Sequence, residues 1–331
     1  MSAKMSFTVR TDCHVHDKAP QSRVDDYLQT CLNSLRQIGE HAERTGAIAV
    51  LDNGDFFHAK AATKNSHLMV REVIDLHRES YPCPVYCNPG NHDFPFNNIE
   101  YLDRQPLGVL FAAGIFERMY DHTFNADNGE GESLKVRVVG FPYKREFTEE
   151  EFDLDRGDED VLIVCAHTFA SPKGGDLFGT ERALSYYDLS EASPDIFVFG
   201  HWHIDQGIQT LNGKHFMNLG SMTRGSLVQD NLTRIPRFGQ IRIEKTVTGD
   251  LIVDLEAVEL EVPPASEVFD LERHERLKAE TRDIESFIES LMLQDEDDSE
   301  DLLSEIEGLT NFKAEVRTTA LSYLQEAMSS S

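Results

Sequence analysis

Five short apolar runs, each followed within a few residues by histidine, aspartate or asparagine, constrain the fold of this chain more than any other feature. Each run is consistent with a buried strand in its length and composition. Because the carboxyl ends of strands in an open α/β sheet border a ligand-binding crevice, the repeated order predicts one shared site. The runs span residues 7–9, 48–51, 85–87, 161–165 and 196–199, and the clusters that follow are Asp12-Cys13-His14, Gly54-Asp55-Phe56-Phe57-His58, Gly90-Asn91-His92-Asp93, His167 and Gly200-His201-Trp202-His203.

The segments between the first three runs predict helices. Residues 24–45 carry leucine and isoleucine at helical spacing, and Gly46 is a typical helix end. A second helix is expected over residues 64–80. Strands that alternate with helices across short connections indicate a largely parallel sheet.

Further strands are expected downstream. Asn212-Gly213 favours a type I′ turn and predicts a hairpin over residues 208–217. Residues 240–244 and 251–258 predict another strand pair. We therefore expect an α/β fold in which two β-sheets form a sandwich flanked by helices, with a small helical appendage at the carboxyl terminus.

The chain changes character at Val262-Pro263-Pro264, where we place a domain boundary. Residues 1–262 would form the main domain, and residues 263–331 would form an acidic helical cap or a partner-docking segment. An amphipathic stripe packs either against the core of its own chain or against a partner helix, and both alternatives are open. The two apolar stripes are Ile284, Phe287, Ile288, Leu291 and Met292, and then Leu303, Ile306, Leu309, Phe312 and Val316.

The net charge of −28 argues against a protein that grips nucleic acid unaided. The chain has 59 acidic and 31 basic residues, whereas proteins that bind DNA by themselves usually offer a basic face to the phosphates. Much of the acidic excess lies in residues 149–160 and 295–301. We interpret both segments as solvated loops, because they lack the spacing of a cation cage.

The sequence predicts a cytoplasmic protein with no membrane segment. No stretch approaches 18 uninterrupted apolar residues, and residues 1–10 lack the apolar region of a signal peptide. The five cysteines are an odd number and lie mostly in or beside predicted strands, so we expect buried thiols rather than disulfides. Cys83 and Cys87 lack the second cysteine pair that a structural zinc site requires.

The polar clusters favour a pair of transition-metal ions. Carboxylate and amide oxygens suit Mn²⁺ and Mg²⁺, while imidazole suits Mn²⁺, Fe²⁺ and Zn²⁺. Seven such groups are too many for one ion but suit two ions that share a bridging carboxylate, for which Asp55 is the candidate. A serine hydrolase is poorly supported because no GxSxG motif occurs. The candidate ligands are Asp12, His14, Asp55, Asn91, His167, His201 and His203.

These motifs, in this order, resemble those of the calcineurin-like metallophosphoesterase superfamily over roughly residues 7–221. Gly54-Asp55-Phe56-Phe57-His58 carries histidine where aspartate is more widespread. In this respect the chain is similar to SbcD-type DNA-repair nucleases, including the nuclease subunits of phage recombination complexes. The motifs that carry the resemblance are Asp12-x-His14, Gly54-Asp55-x-x-His58, Gly90 to Asp93, His167 and Gly200-His201-x-His203.

The resemblance implies a two-metal phosphodiesterase. Mn²⁺ is the favoured cation, with Mg²⁺, Fe²⁺ and Zn²⁺ as alternatives. It also implies that His92 stabilises or protonates the leaving oxygen, that Asp93 orients the ring of His92, and that His58 helps to place the strand being cut. The implied ligands are Asp12, His14, Asp55 and His203 for one cation, and Asp55, Asn91, His167 and His201 for the other.

Three functions stay open at this point. The first is a DNA exonuclease or endonuclease that acts on ends or single strands with an SMC-like ATPase of the SbcC type, and a homodimer is compatible with it. The second is a phosphoesterase that acts on nucleotides, cyclic nucleotides or other small phosphoesters. The third is a binding or regulatory protein that keeps the fold, which the intact ligand set disfavours. The short acidic terminal segment departs from the DNA-binding cap expected of SbcD-type enzymes, so the ATPase would supply the positive surface.

Overall fold

The computed structural model describes residues 2–20, 22–129, 133–177, 181–272 and 275–276. The chain divides into two compact units, Met1–Val268 and Phe269–Ser331. The first unit carries every predicted site residue. The two predicted apolar stripes and the acidic run at 295–301 lie outside the described residues.

The described residues contain fifteen strands, which form two six-stranded sheets and a small three-stranded sheet. The strands are β1 (Ala3–Arg10), β2 (Ala49–Asp52), β3 (Val85–Cys87), β4 (Phe116–Arg118), β5 (Asp121–Asp127), β6 (Ser133–Phe141), β7 (Val161–His167), β8 (Ala170–Ser171), β9 (Gly175–Leu177), β10 (Glu181–Ser185), β11 (Ile196–Gly200), β12 (Gly207–Leu211), β13 (Lys214–Asn218), β14 (Arg237–Lys245) and β15 (Leu251–Glu259).

Helices cover the connections between strands. The acidic segment at 149–160, expected to be a loop, begins with a 3₁₀ helix that Thr148 caps. The α-helices are α1 (Tyr27–Thr45), α2 (His67–Ser80), α3 (Pro106–Ala112), α4 (Tyr186–Leu189), α5 (Gln229–Thr233) and α6 (Ala265–Val268), and the 3₁₀ helices are Ala62–Lys64, Pro95–Asn97, Ile99–Arg104 and Glu149–Phe152.

The two large sheets confirm the predicted α/β sandwich. The first has the strand order β15-β14-β1-β2-β3-β4, and the second has the order β12-β13-β11-β7-β6-β5. Strands β1 to β4 are parallel, as are β6, β7, β11 and β13, while antiparallel pairs complete the edges. The five apolar runs of the sequence therefore divide between the two sheets, three in the first and two in the second.

The core between the sheets is built from alternate residues of their strands. On β1, Met5, Phe7 and Val9 are buried in the same cluster as Ile163 of β7 and Val198 of β11. Successive side chains of a strand point to opposite faces, so this set marks the inner face of each sheet. Full burial of such a side chain contributes about 1.5–3 kcal/mol to the stability of the fold. The packed interface therefore fixes the strand ends of one sheet relative to those of the other.

The predicted helices and turns are confirmed. Helix α1 begins after Asp26, whose side chain accepts the Gln29 backbone N–H, and ends at Gly46 with φ 61°. Helix α2 begins after Ser66, which caps the Met69 N–H in the same way. The predicted hairpin is β12 and β13, and the predicted strand pair is β14 and β15. Asn212 and Gly213 both have positive φ, as a type I′ turn requires.

Four of the five cysteines, all of which are among the described residues, are buried, and all five are free thiols. This confirms the prediction of buried thiols. None of the helices in the described part of the chain has the length and apolar run that crossing a bilayer requires.

A buried ion pair joins the ends of β1 and β2. Arg10 Nε donates to Asp52 Oδ2 at 2.6 Å, and both side chains have no solvent exposure. The guanidinium also donates to the Tyr81 hydroxyl and lies 5.0 Å from the ring centre of Phe56. Asp52 Oδ1 accepts the backbone N–H of Gly54 at 3.1 Å. The pair therefore supports the turn that carries the next residue, Asp55.

We expect Arg10→Met to lower the free energy of unfolding by about 3–5 kcal/mol, because it leaves the Asp52 carboxylate buried without its cation. Urea unfolding measures the change. Arg242→Met is the matched control: Arg242 pairs with Asp254 and Glu256 on exposed strand faces, where ion pairs contribute about 0–1 kcal/mol. Equal, small effects of the two substitutions would contradict this role of Arg10.

Candidate metal centre

Loops and strand ends from both large sheets bring the predicted metal ligands together. Asn91 lies just beyond β3, and the six aspartate and histidine side chains lie at or just beyond the carboxyl ends of β1, β2, β7 and β11. They form two groups, and within each group the candidate ligand atoms lie within 4.8 Å of one another. The first metal group is Asp12, His14, Asp55 and His203, and the second metal group is Asp55, His167 and His201.

Asp55 is the residue that the two groups share. Its Oδ2 lies 3.7 Å from His14 Nε2 in the first group and 3.4 Å from His167 Nε2 in the second. Its Oδ1 accepts the backbone N–H of His92 at 2.6 Å. One carboxylate oxygen thus faces both groups while the other is held by the backbone, which is the placement that a bridging ligand needs.

The first metal group brings together nitrogen and oxygen atoms whose lone pairs would repel one another unless a cation or a proton lay between them. His14 Nε2 is 2.9 Å from His203 Nε2, and His203 Nε2 is 3.4 Å from Asp12 Oδ1. Thr11 Oγ1 donates to the other oxygen, Asp12 Oδ2, at 2.6 Å. Two imidazole nitrogens and two carboxylates that converge on one point fit a divalent transition metal.

In the second metal group, one of the two ring nitrogens of His167 already has a hydrogen-bond partner. His167 Nδ1 donates to the carbonyl oxygen of Asn53 at 2.7 Å. In the neutral ring His167 Nε2 is therefore the nitrogen that offers a lone pair to a cation; it faces Asp55, and Asn91 Oδ1 lies 3.3 Å from it. The structure thus also brings Asn91 to this group, and a carboxylate, an amide oxygen and two imidazoles again suit a divalent cation.

Four of the candidate ligands hold a backbone conformation that non-glycine residues rarely adopt. Asp12, His14, Asp55 and His201 have φ of 50°, 46°, 51° and 82°. Such residues cost of the order of 1–3 kcal/mol each and are concentrated at functional sites, where the surrounding structure enforces them. This strain supports a site that is built to hold ligand atoms in place.

Two glycines let the backbone pass close beside these ligands. Gly54 has φ 92°, and a Cβ there would lie 2.7 Å from His167 Nδ1. A Cβ on Gly90 would collide with Asp55 and with the His167 ring. Gly90 therefore lets the backbone pass close to Asp55 and His167.

Charges within the centre shift the pKa values of its groups in opposite directions. Burial raises the pKa of Asp55, but the nearby imidazoles of His167 and His14 outweigh it and hold the pKa well below the usual value. Burial lowers the pKa of His167, yet the Asp55 carboxylate outweighs it and raises the pKa to about 9. Burial also opposes ionisation of Asp12, while His203 and His167 lower its pKa to about 2. The carboxylates therefore stay charged, as metal ligands must.

The comparison with protein families agrees with this geometry. A model of the family described as calcineurin-like phosphoesterase matches residues 5–205, which covers more than half of the chain. The chain belongs to this family. It is therefore assigned as a metal-dependent phosphoesterase, and its family uses two divalent metals. Among curated proteins, none matches the chain significantly.

Solved structures of other proteins are similar to the chain at low sequence identity. A putative 5′-nucleotidase from Staphylococcus aureus is 16% identical, with a TM-score of 0.50; the match covers 84% of this chain and 58% of that protein. A dimetal phosphatase from Danio rerio is 13% identical, with a TM-score of 0.47 and coverage of 77% and 98%. A calcineurin-like phosphoesterase from Bacillus subtilis is 15% identical, with a TM-score of 0.46 and coverage of 78% and 91%. At these identities the likeness concerns the fold alone.

His92 and His58 lie side by side at the edge of the first metal group. Their rings stack with centres 5.5 Å apart, and together with His14 they form a third cluster of potential ligand atoms within 4.8 Å of one another. His92 Nδ1 donates to the carbonyl oxygen of His58 at 2.6 Å, so His92 Nε2 is the free nitrogen. In this calcineurin-like phosphoesterase, both predicted catalytic histidines therefore lie beside the metal groups.

Asp93 does not orient the ring of His92, so that prediction is wrong. Its buried carboxylate accepts backbone N–H groups at 2.8–3.3 Å, from Gly90 and from the three consecutive residues that begin with Asp55. The ring of His92 is held by the His58 carbonyl instead. Asp93 therefore fixes the backbone of the Asp55 loop.

Two buried asparagines that were not among the predicted site residues tie the sheets together beneath the metal groups. Asn53 Nδ2 donates to the carbonyl oxygens of Ala166 on β7 and Val198 on β11. Asn88 Nδ2 donates to Asn53 Oδ1 at 2.8 Å and to the carbonyl of Cys165 at 3.2 Å. Their signal in the sequence is their position, because each directly follows a strand and precedes a motif.

A cavity of about 190 Å³ opens beside the first metal group. His14 and His203 form its metal side, while Tyr27, Ile204 and Val228 give it apolar walls. The cavity is large enough for part of a substrate next to a phosphate at the metals. It is the place where an organic group attached to that phosphate could lie.

Proposed function

We propose that this phosphoesterase is a two-metal phosphodiesterase that cleaves DNA, as the nuclease subunit of an SbcCD-like end-processing complex. The observation that carries the proposal is the pair His58 and His92, stacked against each other and adjoining the metal groups. His58 occupies the motif position in which the chain resembles SbcD-type nucleases. Such an enzyme would work in the cytoplasm, or in the host cytoplasm if it is phage-encoded.

Each metal group would hold one divalent cation, with Mn²⁺ favoured and with Asn91 completing the second group. When bound, the cations supply the positive charge that activates water and stabilises a phosphoryl group during its displacement. Asp55 and Asp12 provide the charged oxygens, and their buried positions and hydrogen bonds keep those oxygens in place. The protein thus contributes a rigid ligand set before any substrate arrives.

His92 is the proposed proton donor for the leaving oxygen. Its backbone N–H is bound to Asp55, and its Nδ1–H is bound to the carbonyl of His58. These two anchors leave Nε2 beside the metal groups, where it would take up a proton from solvent and pass it to the leaving oxygen. His58, which is exposed and stacked on His92, would contact the DNA strand on the open side.

The acidic surface makes a partner part of the proposal. With a net charge of −28, the chain repels a phosphate backbone except close to bound cations. An SMC-like ATPase of the SbcC type would supply positive surface, and the two apolar stripes within residues 263–331 would dock it. Amphipathic stripes are a common way to bind a partner helix.

A chain of residues 1–272 tests this docking role. We expect it to keep its metals and to cleave a small phosphodiester, because all predicted ligands lie in the compact unit Met1–Val268. It should lose association with the ATPase and the DNA cleavage that the ATPase stimulates. Metal analysis, thermal melting and co-purification measure these properties against the full chain. A truncated chain that still binds the ATPase would contradict docking through residues 273–331.

Hydrolysis of small phosphoesters is the second candidate function. The acidic surface favours a small substrate that needs no extended basic face, and the 190 Å³ cavity has room for part of a nucleoside. The names of the Staphylococcus aureus and Danio rerio proteins point to nucleotidase and phosphatase activities for those proteins. The same metal groups would serve either reaction.

A substrate panel separates the two functions. Linear duplex DNA, single-stranded DNA, bis-p-nitrophenyl phosphate, a nucleoside monophosphate and cyclic nucleotides are incubated with Mn²⁺, with and without the ATPase. We expect cleavage of DNA and of the diester, and loss of both with a chelator. Asp55→Asn controls for contaminating nucleases. Hydrolysis of the monophosphate with no DNA cleavage, even with the ATPase, would favour the second function.

A further inference from the structure

His201 has a carboxylate partner that belongs to neither metal group. His201 Nε2 lies 2.9 Å from Glu181 Oε2. The hydroxyl of Tyr143 donates to the other oxygen, Glu181 Oε1, at 3.3 Å. Tyr143, Glu181 and His201 thus form a chain of hydrogen bonds that ends at the second metal group.

The contact with Glu181 decides which atom of His201 can bind a cation. A carboxylate accepts the proton of Nε2–H, so Nδ1 is the ring nitrogen that keeps its lone pair. A carboxylate behind a metal-bound imidazole fixes the ring orientation and raises the basicity of the ligand nitrogen. Glu181 is placed for both tasks, because its Oε2 lies 2.9 Å from His201 Nε2 while its Oε1 is held by the Tyr143 hydroxyl.

Both ends of this series of hydrogen bonds are anchored to the backbone near the metal groups. At one end, the backbone N–H of His201 donates to Asp12 at 3.1 Å, in the first metal group. At the other end, the backbone N–H of Tyr143 donates to the carbonyl of Pro89, just before the turn that carries Asn91. Glu181 itself lies on β10, in the small three-stranded sheet. A side chain from outside the large sheets therefore reaches a strained ligand whose φ is 82°.

We propose that Glu181 is a positioning residue for the second metal group: it binds Nε2–H of His201 and thereby presents Nδ1 to the cation, while Tyr143 holds Glu181. This inference rests on the two-metal part of the proposed function and not on DNA as the substrate. Failure of the DNA assay would therefore leave it untouched.

The test measures Mn²⁺ binding by the full-length protein. We expect Glu181→Ala to weaken one of the two sites about 10- to 100-fold, the usual cost of losing such a partner, and to leave the other site unchanged. Electron paramagnetic resonance spectra are recorded at a Mn²⁺ concentration that fills both wild-type sites. The wild type should give the spectrum of a coupled pair of ions, and Glu181→Ala should give that of an isolated ion. Glu181→Gln keeps a hydrogen-bond acceptor and should recover part of the affinity.

Two further variants control for a general structural effect. Glu149→Ala removes the carboxylate that pairs with Arg182, the neighbour of Glu181, and should leave both sites intact. Tyr143→Phe keeps the ring but removes the donor to Glu181, and should weaken the same site by a smaller factor. If Glu181→Ala bound Mn²⁺ at both sites with wild-type affinity, the proposal would be overturned. Equal weakening of both sites together with a lower melting temperature would overturn it as well. A wild-type protein that binds no coupled pair would instead contradict the two-metal function, and this inference with it.

Discussion

Asp55→Asn is expected to abolish metal-dependent hydrolysis and to weaken both metal sites together. The substitution removes a charge that faces His14 and His167 at 3.7 and 3.4 Å, so neither group keeps its shared anion. The Mn²⁺ affinity of each site should fall by more than the roughly 10- to 100-fold that follows the loss of a hydrogen-bond partner of a metal ligand. Metal content after dialysis against Mn²⁺ and turnover of bis-p-nitrophenyl phosphate measure the two effects.

The fold should survive this substitution, which makes the result interpretable. Asparagine keeps an oxygen that can accept the His92 N–H, and Asp93 still holds the backbone N–H of residue 55. Asp121→Asn is the matched control, because Asp121 forms an exposed ion pair with Arg137. If Asp55→Asn bound two cations and turned over like the wild type, Asp55 would not be the bridge.

His92→Asn is expected to keep both cations yet lose about 10²- to 10⁴-fold in turnover, the range for removal of a general acid or base. The backbone N–H that binds Asp55 is unchanged by the substitution. The imidazole is lost, and with it the Nε2 that would protonate the leaving oxygen. Turnover of a diester at saturating Mn²⁺, measured together with metal content, tests the prediction.

The choice of leaving group sharpens the test of His92. A leaving group of low pKa needs little protonation, so the variant should lose less rate on bis-p-nitrophenyl phosphate than on a diester with a poorer leaving group. His122→Asn is the control, since His122 lies on the outer strand β5 and binds the carbonyl oxygen of Arg118, the last residue of β4. Loss of a cation in His92→Asn would show that His92 is a ligand, through the cluster with His14 and His58.

The strand ends and the metal ligands could be predicted because their signals are local. Each ligand lies within a few residues of a short apolar run, and parallel strands place their carboxyl ends at the same side of a sheet. The division of the runs between two sheets was not predictable from the runs themselves. Strands buried on both faces look alike in any sheet, since they lack a polar face.

The residues that support the ligands were harder to predict because their partners are distant in sequence. Asp93 lies next to His92 in the chain, but the local turn sends its carboxylate to the backbone of the Asp55 loop. Asn53 bonds to strands more than 100 residues further along. Glu181 precedes His201 by 20 residues and belongs to no motif. Such contacts depend on how the two sheets pack, which no local pattern specifies.

Anomalous diffraction from crystals of the full-length protein soaked in Mn²⁺ tests directly whether two cations share Asp55. Two shared-ligand sites predict two anomalous peaks roughly 3.5 to 4 Å apart, with Asp55 between them. One should be surrounded by Asp12, His14 and His203, and the other by Asn91, His167 and His201. A single peak, or two peaks with no common ligand at Asp55, would contradict the two-metal centre described here.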